Sequence, residues 1–119
     1  IRRMLRDASH RAYDPRQTLE HWHYVRASEM RNIIPNITHT DFIVNSAMPY
    51  ELALYAAKMK DQFQRWVEEY QGDVLKEDAF TRAERVSRML NTITPVPDDS
   101  QVPLDSVIRE FIGGSILKY

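Results

Sequence analysis

Between residues 49 and 71 apolar side chains recur at three- and four-residue steps: Leu52, Ala56, Met59, Phe63, Trp66 or Val67, and Tyr70. That spacing is one stripe of an α-helix, with Pro49 suited to its start and Gly72 to its stop. A second stripe, Phe80, Ala83, Val86, Leu90 and Ile93, follows a polar turn at residues 73–78 and ends before Pro95. Two long amphipathic helices joined by a short turn bury their stripes most directly against each other. Residues 49–94 are therefore predicted to form an antiparallel helix hairpin. A methionine and aromatic stripe at this spacing reads as packing rather than as a cofactor box.

The flanking segments are shorter. A first helix is expected over residues 1–13, stopping ahead of Pro15 because proline disfavours a helical residue before it. Ile1 sits inside this pattern with no capping residue before it, so the sequence reads as a piece of a longer one. Asp14, Pro15 and Gln17 announce a second helix over residues 15–31: a cap, a first-turn proline and a capping-box glutamine. Its apolar side carries Leu19, Trp22, Val25 and Met30 and its polar side Arg16, Glu20, His23 and Arg26. The run Phe42-Ile43-Val44 between polar neighbours reads as a strand over residues 41–46, continuous in its apolarity and hence buried on both faces. No second convincing strand accompanies it, so its sheet partners are expected outside this chain. Prolines at 95, 97 and 103 stiffen a connector, a last helix is expected over residues 105–112 before Gly113 and Gly114, and residues 116–119 read as unstructured or as a short strand. The expected fold is mainly α, four to five helices with one or two short strands. It divides into residues 1–48 with the first two helices and the strand, 49–94 with the hairpin, and 95–119 with the connector and last helix.

Composition limits the chemistry. The 119 residues, 43% hydrophobic and 28% charged, suit one domain. No apolar run approaches the ~18 residues of a membrane span, and nothing resembles a secretory leader, so a cytoplasmic location is expected and a membrane partner is not. With no cysteine, disulfides, thiolate nucleophiles and cysteine zinc sites are excluded. The only glycines are Gly72, Gly113 and Gly114, so the phosphate-cradling G-x-x-x-x-G-K-[ST] loop is absent. His21 and His23, two residues apart, fall on different helix faces and do not make a metal pair, and no metal site is expected. His10 with Asp7 or Asp14 is an acid–base pair without a nucleophile in a suitable context.

Charge is unevenly spread. Residues 1–31 hold seven Arg against four Asp or Glu, and all four histidines lie between His10 and His39. A basic pole this small suits a phosphate-bearing small ligand better than duplex nucleic acid. Within it, Arg2, Arg3 and Arg6 share one face of the first helix. Two readings are open at this point: a solvated helix face, or an anion clamp in which guanidinium forks meet phosphate oxygens and Asp7 orients one of them.

Several of these segments, in order, carry a resemblance. The run Ile1-Arg2-Arg3-Met4-Leu5-Arg6-Asp7 resembles the lid helix of the uridine kinase and phosphoribulokinase family. Arg11, Tyr13, Pro15, Thr18, Leu19, Trp22, Val25, Arg26, Ser28, Glu29 and Pro35 look like the family's next segment, C-terminal to that helix. The run from Asp41 to Ser46, then Tyr50, Glu51 and Leu52, continues the similarity. Residues 102–115 are similar to the C-terminus of a bacterial uridine-kinase-like subgroup. The resemblance implies the C-terminal portion of an α/β P-loop kinase fold, whose lid arginines close over ATP phosphates during transfer to a nucleoside-like acceptor. By position, Arg2, Arg3 and Arg6 would be the lid arginines, Asp7 their orienting carboxylate and Arg11 a further phosphate contact, with Trp22, Arg26 and Glu29 supporting the lid. A transferred-phosphate arginine can be worth roughly 10³ to 10⁵ in rate. The family's P-loop, Mg²⁺-binding acid and nucleoside pocket all lie N-terminal to these segments. ATP and Mg²⁺ are thus expected in a longer protein, with none bound by this chain alone. The alternative expectation is a non-catalytic helical interaction or oligomerisation module that self-associates through the hairpin.

Overall fold

The structure is a computed structural model that describes residues 1–117, so Lys118 and Tyr119 of the expected tail lie outside the described residues. Among the described residues the chain is mainly helical, with six α-helices, two 3₁₀ turns and no strand. The helices are α1 (Arg2–His10), α2 (Pro15–Glu20), α3 (Trp22–Asn32), α4 (Glu51–Tyr70), α5 (Glu77–Asn91) and α6 (Arg109–Ile112).

The α4–α5 hairpin forms as its stripes require. It is antiparallel, with the Ser87 hydroxyl donating to Gln64 Oε1 at 3.3 Å across the pair. Met59, Phe63, Trp66 and Tyr70 meet Ala79, Ala83 and Leu90 in the main core, which Met4 of α1 and Leu19 of α2 complete. The Phe63 and Trp66 rings meet edge to face, centroids 5.0 Å apart. Such a pair adds about 0.5–1.5 kcal/mol to the area it buries. Ala56 is buried as its spacing placed it, but at the N-terminal end of α4 the stripe is shifted: Leu52 is exposed, whereas Leu54 and Tyr55 are buried. Leu54 instead joins Val102 and Ile108 in a second cluster, because the connector returns over this face of α4.

Arg109 holds that return in place. Its side chain is buried and donates to the carbonyls of Asp99, Val102 and Gly113 and to Asp99 Oδ1 at 2.7–3.3 Å. A guanidinium presents five donors in one plane, which suits it to collect turn carbonyls in this way. The last helix is shorter than expected, residues 105–108 being turns, and Gly113 ends it at φ 90°.

Two further expectations are corrected. The single helix over residues 15–31 is two, separated at His21 (φ −91°, ψ 6°). Arg82 Nη1 of α5 donates to the Leu19 carbonyl at 2.8 Å, the group that would accept from His23 in a continuous helix. The core thus takes α2 while α3 leaves it, and no residue of α3 is buried. The strand over residues 41–46 does not form. Phe42, Ile43 and Val44 are 88%, 74% and 83% exposed on an extended segment. A lone strand has no ladder to satisfy its backbone, and the described residues supply no second one.

Candidate functional site

α1 presents its charged residues one turn apart, and the structure divides them between two places. Arg3, Arg6 and Arg11 gather on Asp7, which is 3% exposed. Arg3 Nε donates to Asp7 Oδ2 at 3.3 Å, while Arg6 Nε and Arg11 Nη1 stand 3.5 and 3.4 Å from Oδ1. Oδ1 has charged neighbours at these distances but no hydrogen bond of its own, and neither has Arg6 Nε. Arg6 Nη1 also stands 3.7 Å from Glu110 Oε1 of α6. Three cations therefore face two carboxylates, leaving one positive charge in surplus.

Arg2 goes elsewhere. Its Nε and Nη2 donate to Glu51 Oε2 at 2.8 and 2.6 Å, its Nη1 and Nη2 to Ser46 Oγ and the Ser46 carbonyl at 3.0 and 2.7 Å. Its guanidinium lies 5.2 Å from the centroid of the Phe111 ring. Burial alone opposes the Arg2 charge, but the Glu51 hydrogen bond and charge outweigh it, so the pKa is raised.

The chain turns back sharply after α1. The Asp7 carbonyl accepts both the Arg11 and the Tyr13 N–H at 3.1 Å, with Ala12 between them at φ 50°. A non-glycine residue in that region is strained, and the hydrogen bond from the Tyr13 N–H to the Asp7 carbonyl offsets part of that cost as the chain folds back. The turn encloses a cavity of about 250 Å³. Arg3, Asp7 and Arg11 line one side of it, Tyr13 the turn, and Thr18, His21 and Val25 the side made by α2 and α3. Thr18 is buried and its hydroxyl has no hydrogen-bond partner. The site thus offers two guanidiniums, an imidazole and a hydroxyl around one buried carboxylate, a donor-rich set suited to an anion.

Of the residues singled out in the sequence, Arg3, Asp7 and Arg11 line the cavity, Arg6 contacts Asp7 from behind, and Arg2 is held at Glu51. Arg26 and Glu29 pair with each other at 3.2 Å on the surface of α3, and Trp22 is half-buried. Thr18, His21 and Val25 were not among the expected site residues. Their spacing of three and four would place them on one face of the continuous helix expected over residues 15–31, which was the available signal, although the structure brings them together across the break at His21. Among the described residues no group of three or more His, Asp or Glu could hold a metal ion, and no helix is long and apolar enough to cross a membrane. No family model, curated protein or solved structure matches the chain.

Proposed function

We propose that this chain is the lid-containing, C-terminal region of an ATP-dependent nucleoside kinase, in which Arg3 and Arg11 neutralise phosphate charge and Arg6 supports them through Asp7. The observation that carries the reading is the convergence of three arginines on buried Asp7 beside a cavity of about 250 Å³. A buried carboxylate holds the forks in a fixed geometry while leaving net positive charge for the ligand. Phosphoryl transfer needs this kind of positioning and charge neutralisation more than covalent help from the protein. The cavity suits phosphate oxygens, whereas the ligands for Mg²⁺ and the P-loop would come from outside these residues. The exposed Phe42, Ile43 and Val44 fit the same reading: a run apolar on both faces is made to enter a covered sheet, here one belonging to the α/β core of the longer protein.

The test is a titration of the 119-residue chain with pyrophosphate, monitored by arginine side-chain and histidine NMR. Shifts at Arg3, Arg11 and His21, lost in Arg3→Ala and Arg11→Ala, are expected. Absence of shifts at these residues up to millimolar pyrophosphate would remove the cavity as an anion site; the kinase reading is overturned if Arg3→Ala and Arg6→Ala leave turnover with ATP unchanged in a longer protein that carries the P-loop. The alternative, a helical interaction module, draws support from α3 and residues 41–46 rather than from the α4 stripe, because Met59 and Trp66 are consumed in the core.

A further inference from the structure

Arg2 sits next to Arg3 in sequence, yet its guanidinium serves a different place. We infer that Arg2 is a positioning residue, which fixes where α1 holds the arginines of the anion cavity and links that helix to residues 41–46, rather than a group that touches the anion. The inference rests on the proposed anion site and deepens it.

Four of the five Arg2 N–H donors are committed: Nε, Nη1 and both hydrogens of Nη2. Their acceptors come from two elements, Glu51 at the start of α4 and Ser46 at the end of the extended segment. The Phe111 ring of α6 closes a third side. Glu51 Oε2 also accepts from the Tyr55 hydroxyl at 3.3 Å, so this one oxygen gathers donors from both Arg2 and α4. The far end of α1 is tied separately, by Arg6 to Glu110 and by His10 Nε2 at 3.2 Å from the Glu110 carbonyl. α1 is thus pinned at its first turn by Arg2 and near its last turn by α6, with Arg3 and Asp7 between the pins. Arg2 lines neither the cavity nor the Asp7 cluster. Reaching an anion there would require breaking the whole set of bonds at once. Ser46 contributes through both its hydroxyl and its carbonyl, so any partner that moves residues 41–46 acts on the N-terminal pin of α1.

A double-mutant cycle on the 119-residue chain tests this, with pyrophosphate as probe and Arg2→Lys, Glu51→Gln and the double variant compared at a temperature where all are fully folded. If Arg2 positions α1, each single variant weakens pyrophosphate by about fivefold or more, and the double variant weakens it no further than either single one. The Arg2 Nε resonance stays still during titration of the unmodified chain while those of Arg3 and Arg11 move. If Arg2 is an anion ligand, its Nε resonance moves, and Glu51→Gln leaves affinity unchanged or raises it by freeing the guanidinium; either result overturns the inference. Should the unmodified chain bind no pyrophosphate, the anion-site reading fails on its own. The pin is then judged by hydrogen exchange of the Leu5, Arg6 and Asp7 amides, which opens equally in both single variants and the double one, and unchanged exchange overturns it.

Discussion

Glu51 Oε2 accepts from both Arg2 and Tyr55, and this small network has a pH signature. Burial, with the Glu51 charge added, pushes the Tyr55 phenol from 10.0 up to about 12. Tyr70 is raised as well, by burial and then by its hydrogen bond to Glu20 at 2.9 Å. The folded chain holds these protons to higher pH than the unfolded one does. The contribution of Tyr55 to stability is therefore complete below pH 10 and is lost as pH climbs from there through about 12, and that of Tyr70 is lost in the same direction. Urea midpoints are expected to be flat up to about pH 9 on this account and to fall steeply between about pH 10 and 12, with a shallower alkaline limb in Tyr55→Phe. An equally steep limb in that variant would remove Tyr55 from the cause. Residue identity made the arginine cluster visible in the sequence, since Arg2, Arg3 and Arg6 share a face. It did not say that Asp7 would collect Arg3, Arg6 and Arg11 while Glu51, 49 residues away from Arg2, would claim that one.

At the scale of elements, the break between α2 and α3 follows from a contact rather than from propensity. Nothing near His21 is a helix breaker, and Arg82 Nη1 reaches the Leu19 carbonyl from α5. Arg82 is also held by both Asp78 carboxylate oxygens at 2.8 Å, so the fork arrives preset. Removing it in Arg82→Ala leaves a half-buried carbonyl without its charged donor, and a loss of about 1–3 kcal/mol is expected, read from denaturant unfolding. Circular dichroism of the variant should show helix content equal to or greater than that of the unmodified chain, since residues 15–32 are then free to run as one helix. The hairpin, by contrast, was legible from spacing alone, because each long helix had one apolar stripe and one nearby partner. Which of Trp66 and Val67 turned inward was not. The edge-to-face contact with Phe63 fixes Trp66 in the core, and Val67 packs at its margin.

The whole molecule is looser than a compact chain of its length. Its radius of gyration is 15.7 Å, against the ~13.5 Å expected for a compact domain of this size. The excess lies with α3 and the segment after it. Tyr24, Met30, Ile33, Phe42, Ile43 and Val44 are all exposed there. These side chains add nothing to the core of the described residues. Phe42→Asp with Val44→Asp is therefore expected to leave urea stability within about 0.5 kcal/mol, because neither side chain packs on the body. The same change should lower self-association at high concentration, seen by sedimentation. A large loss of stability would mean that residues 42–44 are packed on the body after all.

Taken alone, the sequence determined the helical class, the hairpin, the lack of thiol and P-loop chemistry, and the basic face of the first helix. These come from periodicity, residue type and local spacing, which act over a few residues. Tertiary structure decided the rest: the division of the arginines between Asp7 and Glu51, the cavity with Thr18 and His21, the break at His21, and the failure of residues 41–46 to become a strand. Each of these depends on a partner far away in the chain, or on the absence of one within it. Hydrogen bonds and ion pairs between distant residues leave no period in the sequence to read.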